Sequence, residues 1–321
     1  MNGADIRAAL TLMLQGEMDT SQIAETLTQI ETDGVGAEQL AAGAAVMREH
    51  MQRVSVPGNA IDIVGTGGTG LKLLSISTAT AFVVAGAGVP VAKHGNRGAS
   101  SPTGTADTLS ELGVNISMLP ERAAAAVSEV GMGFLFAPTY HPAMRHVGPA
   151  RKQIGKRTIF NRLGPLCNPA EVKYMLLGSA ESQLVRPMAE ALKANGVTHA
   201  MVVHGKDGMD EITTTDTTHI AQLIKGEITE FDLTPEQFNL KRVELNKLSG
   251  GAPAENAAAL ASLLDGTPSA YRDIVLLNAA AALTVAGGVS NIEDGLILAA
   301  DAIDSGKAKS VLTRLAEFSN G

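Results

Sequence analysis

The chain has 321 residues, 45% of them hydrophobic, and its 25 lysines and arginines against 33 aspartates and glutamates give a net charge of −8. This hydrophobic content excludes an intrinsically disordered chain, because enough apolar surface can be buried to offset the entropy lost on folding. The acidic balance argues against general nucleic-acid binding, which depends on an excess of basic residues. No apolar run reaches the ~18 residues of a membrane-spanning helix. Cys167, the only cysteine, cannot form an internal disulfide, so we expect a reducing, cytoplasmic location.

The first sixty residues predict helices only. Apolar residues recur at helical spacing in Ala4–Leu14, Ile23–Ile30 and Ala37–Met51. The pattern changes at Pro57, after which strand-like and helix-like segments alternate. We therefore predict a small helical domain at residues 1–57, which helices from about residues 141–170 could join, and a large α/β domain at residues 58–321.

Alternation of short apolar runs with helical segments predicts an α/β domain with a central, mostly parallel sheet. The predicted strands are 60–64, Val89–Ala92, Val114–Met118, Phe134–Ala137, Tyr174–Leu177 and His199–Val203. The helices predicted between them are Thr78–Ala87, Ala106–Leu112, Pro120–Val130, His141–Ile154 and Glu181–Ala194. Beyond them, the pattern predicts β-rich structure at Ile212–Leu233 and an almost wholly helical part at Glu255–Phe318.

A glycine-rich segment, Gly65–Gly70, follows the first predicted strand and fits the pattern G-x-G-x-x-G. Such loops let backbone N–H groups approach a phosphate, and the start of a helix adds partial positive charge. Three interpretations remain open: a structural turn, a dinucleotide site and another phosphate site. A dinucleotide site needs an acid about 20 residues further on to bind the ribose. Residues 63–106 contain no Asp or Glu, which counts against that interpretation.

The same acid-free stretch carries three basic residues, Lys72, Lys93 and Arg97, in a chain that is acidic overall. Ser75–Thr78 and Ser100–Thr105 add hydroxyl groups at two predicted helix starts. The segment around Lys93 lies just after a strand, where ligands of α/β proteins bind. Together these segments suit a ligand with two phosphate groups. For each alone, a simpler alternative remains: a solvated lysine, a histidine that braces the loop, or ordinary helix caps.

An acidic segment, Asp207–Glu211, follows the strand predicted at His199–Val203. Adjacent carboxylates repel each other and contribute little to packing. They suit Mg²⁺, which binds a few carboxylates together with phosphate oxygens and water. A solvated acidic turn is the alternative. No His/Cys cluster has the spacing of a zinc site, and no G-x-S-x-G nucleophile motif occurs.

Residues 140–152 hold another concentration of polar side chains, on the helix predicted at His141–Ile154. Helical spacing would align Arg151 with the His141 end of that helix. An arginine there would form either a surface ion pair or a fork for a planar carboxylate. The spacing alone favours the surface pair.

Five motifs taken together resemble those of the anthranilate phosphoribosyltransferases, a family within the nucleoside-phosphorylase-like phosphoribosyltransferases. The resemblance runs in order from about residue 5 to residue 318. Five motifs at these separations are far more specific than any one glycine loop. The motifs are Ile61–Gly68, Lys93–Arg97, Phe136–Pro142, Phe160–Asn161 with Leu163–Leu166 and Asn168–Pro169, and Gly208–Glu211.

The resemblance implies a small helical domain, a large α/β domain, a homodimer and an active site in the hinge cleft. The implied reaction joins the amine of anthranilate to C1 of phosphoribosyl diphosphate and releases pyrophosphate with the help of Mg²⁺. The residues implied at the phosphoribosyl diphosphate site are Gly65, Gly68, Thr69, Leu73, Ser75, Ser77, Thr78, Lys93, Asn96, Ser101 and Thr105. Those implied at the anthranilate site are Gly65, His94, Asn96, His141, Arg151, Gly164 and Pro165. Ser77, Asp210 and Glu211 are implied as Mg²⁺ ligands, and Lys93, Asp210 and Glu211 as catalytic residues.

The sequence departs from the family pattern at four positions. Thr69 replaces the Asp of the usual GTGGD, Ser75 replaces an Asn, and Leu73 replaces a small hydroxyl residue. Arg162 stands where an apolar residue is common. The first three changes bear on the binding of metal and phosphate.

Two other functions remain open from the sequence. A pyrimidine nucleoside phosphorylase-like enzyme would share the fold and the phosphate site. Phosphorolysis needs no metal bound to a diphosphate, so the pair Asp210 and Glu211 counts against it. A catalytically silent relative that binds phosphorylated ligands stays open because the glycine loop has changed.

Overall fold

The computed structural model describes residues 1–98 and 103–321, and its N-terminal part consists of three helices, as predicted. They are α1 (Gly3–Gln15), α2 (Thr20–Asp33) and α3 (Ala37–Glu49). The side chains of Asn2 and Asp19 cap α1 and α2, each accepting the backbone N–H three residues further on at 3.0 and 2.9 Å. The apolar faces of these helices are buried, so they belong to the hydrophobic core.

The centre of the molecule is a seven-stranded sheet with the order β3-β2-β1-β4-β5-β6-β7. The first five strands run parallel, and the last two continue the sheet as an antiparallel hairpin. This arrangement confirms the predicted α/β class with a mostly parallel central sheet. The strands are β1 (Ile61–Gly65), β2 (Val91–Gly95), β3 (Met132–Phe136), β4 (Tyr174–Gly178), β5 (His199–Gly205), β6 (Thr218–Ile224) and β7 (Glu227–Leu233).

Helices pack against the strands of the sheet and form the C-terminal part, as expected. The most buried of them is α4 (Ile76–Gly86), whose residues 78–85 are all buried, as expected for a helix that is apolar on every side. The helices that follow it in the chain, α5 to α10, are Thr105–Glu111, Pro120–Glu129, Ala137–Tyr140, Gly148–Ile154, Ile159–Leu163 and Val185–Ala194. The C-terminal helices α11 to α14 are Pro253–Leu264, Ala270–Val285, Ile292–Asp304 and Lys307–Asn320. Short 3₁₀ helices are at Pro142–His146, Gly164–Leu166, Ser182–Leu184, Pro235–Phe238 and Leu245–Leu248.

The strand predicted at Val114–Met118 is wrong, because this segment is a loop without strand pairing. Its three apolar side chains are buried, which explains the misleading pattern. Between them, Asn115 forms hydrogen bonds to Ser319 of α14 through both its backbone N–H (2.9 Å) and its side-chain amide (3.3 Å). The backbone is thus satisfied by a helix end rather than by a neighbouring strand.

The single helix predicted at His141–Ile154 is also wrong. The chain forms a 3₁₀ helix at Pro142–His146 and then α8, with Val147 between them. Prolines at 142 and 149 start these two pieces, since proline cannot donate the hydrogen bond that a continuous helix needs. The broken segment lies against the N-terminal helices: α8 contacts α2, α9 contacts α2 and α3, and the 3₁₀ helix contacts α1.

The strand order places a crevice in the middle of the sheet. From β1 the chain moves outward through β2 to β3 and then returns to β4 on the opposite side of β1. Ligands of such sheets bind where the strand order reverses, at the carboxyl ends of the two strands. Here those ends are Gly65 and Gly178, which are paired with each other. None of the helices described is long and apolar enough to cross a membrane.

Candidate active site

The crevice between β1 and β4 is filled by the carboxylate of Asp210, which lies directly over the paired glycines. A Cβ atom on Gly65 would stand 2.3 Å from Asp210 Oδ2, and one on Gly178 would stand 1.7 Å from the Asp210 carbonyl oxygen. Only glycine fits at either strand end. The two glycines therefore allow a residue far away in sequence to reach the switch point of the sheet.

The glycine loop turns around this carboxylate. Gly67 and Gly68 adopt φ angles of +62° and +73°, a backbone conformation that residues other than glycine rarely adopt. The N–H of Gly67 donates to Asp210 Oδ2 at 2.8 Å. On the other side, Arg157 Nη1 donates to the carbonyl oxygen of Gly68 at 2.9 Å. The loop is thus held from both sides by charged side chains.

The acidic segment is a turn whose conformation is fixed by buried hydrogen bonds. Asp207 accepts the N–H of Met209 at 3.0 Å and the hydroxyl of Thr213 at 2.6 Å. Further on, the fully buried Asn278 of α12 accepts the N–H of Ile212 at 3.0 Å and donates to its carbonyl oxygen at 2.8 Å. Asp210 and Glu211 lie in the chain between the segments that these two sets of hydrogen bonds hold.

The two carboxylates of this turn suit a cation. Burial raises the pKa of Asp210, although the Gly67 N–H opposes the change. Burial and the neighbouring Asp210 raise the pKa of Glu211 to about 8. Two adjacent, half-buried carboxylates that ionise reluctantly are stabilised by a bound positive charge. Oxygen donors that leave room for ligand oxygens and water are the set that Mg²⁺ prefers, so the residues fit the expected metal.

Lys93 is almost completely buried beneath the glycine loop, with 1% of its surface exposed. Its ammonium group donates to the Ile63 carbonyl oxygen and, at 3.3 Å, to the Ser77 hydroxyl. Burial lowers its pKa, and the nearby Asp62 and Glu211 oppose that change. Asp62 is buried below it, and burial raises its pKa to about 6. The Lys93 nitrogen thus lies between the carboxyl end of β1 and the start of α4, close enough to Glu211 for the two groups to interact.

The starts of α4 and α5 meet beside the loop through pairs of hydroxyl groups. The Thr78 hydroxyl donates to that of Thr105 at 3.3 Å, and those of Ser75 and Thr108 are 2.8 Å apart. Ser75 also binds the C-terminal helices, since its carbonyl oxygen accepts from the Tyr271 hydroxyl at 2.9 Å. Leu73, the residue in place of a small hydroxyl residue, forms an antiparallel bridge with Ser249.

The opposite wall of the crevice is made of side chains around Arg151. Its Nη2 donates to Asn161 Oδ1 at 3.2 Å, and its guanidinium carbon lies 5.9 Å from the centre of the Phe160 ring. Burial lowers the pKa of Arg151. No carboxylate lies within ion-pair distance of this guanidinium among the described residues, so the surface ion pair favoured by the spacing is wrong.

Two buried histidines pack together at this wall, and one of them, His94, lines the cavity. The rings of His94 and His141 are 5.1 Å apart. Burial lowers the pKa of His94 to about 3, helped by His141, and the pKa of His141 to about 4, so both rings are neutral at pH 7. Within the described residues, His94 Nε2 and both nitrogens of His141 make no well-aligned hydrogen bond. Because both rings are neutral, the positive charge beside them comes from Arg151.

A cavity of about 380 Å³ joins these features. The structure brings together nearly all of the residues predicted for the site. Ser101 falls outside the described residues, and His141 lies behind His94 rather than in the cavity wall. The predicted residues that line the cavity are Gly65, Gly68, Thr69, Leu73, Ser75, Ser77, Thr78, Lys93, His94, Asn96, Thr105, Arg151, Gly164, Pro165, Asp210 and Glu211.

Sequence reasoning missed two residues that shape this site. Arg157 lines the cavity and holds Gly68, but a lone arginine in a loop carries no pattern that would identify it. Asn278 lies in a helix that reads as a plain apolar segment. Its one signal in the sequence is a polar amide among alanines and leucines. Burial of such an amide is favourable only if it forms hydrogen bonds, so the pattern indicates a buried partner.

Comparison with known proteins identifies the family to which this chain belongs. The family model described as "Glycosyl transferase family, a/b domain" matches residues 57–309. Among curated relatives, the anthranilate phosphoribosyltransferases of Parvibaculum lavamentivorans and Mesorhizobium japonicum are 52% and 51% identical. These alignments cover 100% and 99% of this chain and 94% of each relative.

Solved structures agree with the sequence relatives. The crystal structure of anthranilate phosphoribosyltransferase from Thermus thermophilus superimposes with a TM-score of 0.94 at 40% identity, covering 100% of this chain and 96% of that one. The enzyme from Saccharomyces cerevisiae in complex with PRPP and Mg gives 0.92 at 28% identity, covering 100% and 94%.

The glycine loop, buried lysine and acidic turn at the switch point thus lie in a glycosyltransferase fold, an α/β domain that the family model matches over most of the chain. Within that class, the chain belongs to the anthranilate phosphoribosyltransferase family. This confirms the family predicted from the five motifs. The comparisons support that family and not the phosphorylase-like alternative.

Proposed function

We propose that this chain transfers the 5-phosphoribosyl group from phosphoribosyl diphosphate to the amine of anthranilate and releases pyrophosphate. The observation that carries the proposal is one cavity lined by a glycine loop, an acidic turn and Arg151, which forms no ion pair within the described part of the chain. The yeast relative, solved with PRPP and Mg and also with 4-fluoroanthranilate, supports the same pair of ligands.

The diphosphate side of the substrate would lie on the glycine loop and the two helix starts. Backbone N–H groups and helix starts bind phosphates without needing particular side chains. Charge builds up on the pyrophosphate as the bond to C1 breaks, and a cation fixed beforehand stabilises it best. Lys93, already held by Ile63 and Ser77, meets that need. The residues we assign to this substrate are Gly65, Gly68, Thr69, Leu73, Ser75, Ser77, Thr78, Lys93, Asn96, Ser101 and Thr105.

Asp210 and Glu211, with Ser77, would hold Mg²⁺. When bound there, the metal supplies Lewis-acid stabilisation to the departing pyrophosphate. The protein contributes the position of both carboxylates, since Asp207 and Asn278 fix the turn on which they lie.

The acceptor would lie against Arg151 with its carboxylate in the guanidinium fork, a geometry that arginine favours. Its binding surface would be completed by Gly65, His94, Asn96, Gly164 and Pro165, with His141 packed against His94. An aromatic amine is neutral at pH 7, so the reaction needs no strong base. The neutral histidines are consistent with this, and holding the amine near C1 provides much of the rate.

The direct test is to incubate the protein with phosphoribosyl diphosphate, Mg²⁺ and anthranilate while following the loss of anthranilate fluorescence. We expect turnover that disappears without Mg²⁺ or when aniline replaces anthranilate. An enzyme that instead cleaves pyrimidine nucleosides with inorganic phosphate would contradict the proposal. No reaction together with tight binding of phosphoribosyl diphosphate would point to a silent relative.

We further propose that the protein is a homodimer, as the family resemblance implies, and that it is cytoplasmic, as its single cysteine favours. Sedimentation equilibrium measures the assembly directly, and a mass near twice 33.1 kDa is expected. Cell fractionation checks the location. A monomer at micromolar concentration would contradict the first expectation.

A further inference from the structure

Arg162, one of the departures from the family pattern, lies at a junction of charged groups beside the glycine loop. It belongs to α9, next to Phe160 and Asn161 of the acceptor wall. Its side chain points to two carboxylates instead, Glu31 of α2 and Glu181 after β4. The junction consists of Glu31, Arg157, Arg162 and Glu181.

The contacts of Arg162 are forked on both sides. Its Nε and Nη2 donate to the two oxygens of Glu181 at 2.8 and 3.0 Å. Its Nη1 donates to both oxygens of Glu31 at 2.9 and 2.7 Å. Burial alone would lower the pKa of Arg162, but the hydrogen bonds and charges of the two glutamates raise it above its usual value. Only 12% of the Arg162 side chain is exposed, so solvent screens these pairs less than those at an open surface.

Glu181 is also close to Arg157, the residue that holds the glycine loop. Arg157 Nη2 is 3.9 Å from Glu181 Oε1, while its Nη1 donates to the Gly68 carbonyl oxygen at 2.9 Å. The same loop after β4 touches the glycine loop a second time, since the N–H of Ala180 donates to the Thr66 hydroxyl at 3.0 Å. Glu181 therefore competes with Gly68 for Arg157 unless another cation occupies its carboxylate.

We infer that Arg162 is a positioning residue for the glycine loop: by occupying Glu181 it leaves Arg157 to hold the Gly68 carbonyl. Its second fork, to Glu31, ties this arrangement to α2. In the described part of the chain, Arg157 and Arg162 are the arginines within 4 Å of the Glu181 carboxylate, so removal of Arg162 leaves Arg157 beside it. The guanidinium then moves toward that carboxylate, and the glycine loop loses a support. The inference rests on the proposed function only in naming phosphoribosyl diphosphate as the ligand of that loop.

The first test uses the protein without ligands and measures hydrogen exchange of the backbone amides of residues 65–71. Arg162→Leu should speed their exchange, because the Gly68 carbonyl loses its donor. The matched control is Arg48→Leu: Arg48 is 14% exposed and binds Glu171 at 2.8 Å, but the polar partners described for these two residues include neither Arg157 nor the glycine loop. It should leave exchange in the loop unchanged even if both variants lose similar thermal stability.

The second test separates positioning from plain stability by kinetics. Arg162→Leu should raise KM for phosphoribosyl diphosphate about 10-fold, the effect of one lost hydrogen bond to a charged group. KM for anthranilate should change much less. Adding Glu181→Gln to that variant removes the competing charge, so KM should return to within about 3-fold of the parent, since a neutral amide attracts the guanidinium far less.

Loop exchange and KM that stay unchanged in Arg162→Leu would overturn the inference, as would a double variant that is as impaired as the single one. If Arg162→Leu does not fold, Arg162→Gln is judged by the same criteria, since it removes the charge while keeping a donor for Glu181. If no transfer reaction is found at all, the exchange experiment still decides the inference, because it requires no substrate. Failure of the proposed function and failure of this inference are thereby distinguished.

Discussion

The two walls of the cavity are built from different kinds of atoms. The phosphate wall, which consists of the glycine loop at Gly65–Gly70 and the starts of α4 and α5, is mainly backbone held in place from behind. The acceptor wall is made of side chains from separate segments, with Arg151 at its centre and Phe160 and Asn161 around it.

This difference predicts how each wall responds to mutation. A backbone wall tolerates side-chain changes that point into solvent, but it fails when an added atom enters a close contact. A side-chain wall fails when one functional group is removed. Thr69 illustrates the first case: it differs from the family pattern, yet its hydroxyl accepts the Leu71 N–H at 3.1 Å, so the turn forms without the acid.

The largest effect is expected where the two walls meet, at the acidic turn. Asp210→Asn with Glu211→Gln should reduce Mg²⁺-dependent turnover about 1,000-fold or more, because metal assistance to a departing pyrophosphate is worth several kcal/mol. The fold should remain intact, since the hydrogen bonds of Asp207 and Asn278 hold the turn without either carboxylate. Initial rates across a Mg²⁺ titration, with circular dichroism as the control, measure both. Near-normal turnover would show that the metal binds elsewhere.

The second-largest effect is expected from a single methyl group added to the phosphate wall. In Gly65→Ala the new Cβ would stand 2.3 Å from Asp210 Oδ2 and displace that carboxylate. We expect turnover to fall by about 100-fold, the effect of a ~1 Å misplacement at a reacting centre. The matched control is Gly70→Ala, where φ is +76° but no atom lies within 4 Å of the added methyl. It should cost only ~1 kcal/mol of stability. Equal losses in both variants would contradict this account.

Removal of one side chain should damage the acceptor wall selectively. Arg151→Ala should weaken anthranilate binding by about 10- to 150-fold, corresponding to roughly 1.5–3 kcal/mol for a charge-assisted fork, and spare phosphoribosyl diphosphate. Lys152→Ala, which removes an exposed charge from the adjacent position, is the control and should bind both substrates normally. Calorimetry with each substrate measures the split. A larger loss on the diphosphate side would reverse the assignment of the two walls.

The smallest effect is expected at Thr69, which tests whether the phosphate wall faces the metal. Thr69→Asp adds a carboxylate to a half-buried position in the cavity wall. It should strengthen binding of a second Mg²⁺ by about 1–3 kcal/mol if the contact resembles a charged hydrogen bond. We expect a shifted Mg²⁺ optimum and inhibition at high Mg²⁺, together with an added binding step in Mg²⁺ calorimetry. Superimposable curves for both proteins would mean that residue 69 does not face the metal.

Much of this protein is determined by its sequence locally. Helix caps, apolar periodicity and glycines at turns specify the N-terminal helices, the α/β alternation and the glycine loop, because these features depend on neighbours in the chain. The same local reasoning gave errors at Val114–Met118 and His141–Ile154. In the first, apolar residues are buried without strand pairing, and in the second, prolines interrupt a pattern that otherwise suits a helix.

Only the tertiary structure decided which of these local features meet. Gly67 and Asp210 form their hydrogen bond across 143 residues, and Arg157 reaches Gly68 across 89. Periodicity carries no information about such pairs, because a strand order of β3-β2-β1-β4-β5 and the crossovers that create it are properties of the whole sheet. The sequence therefore determined the chemical groups of the site. The order of the strands determined that a glycine pair, a buried lysine and an acidic turn would share one crevice.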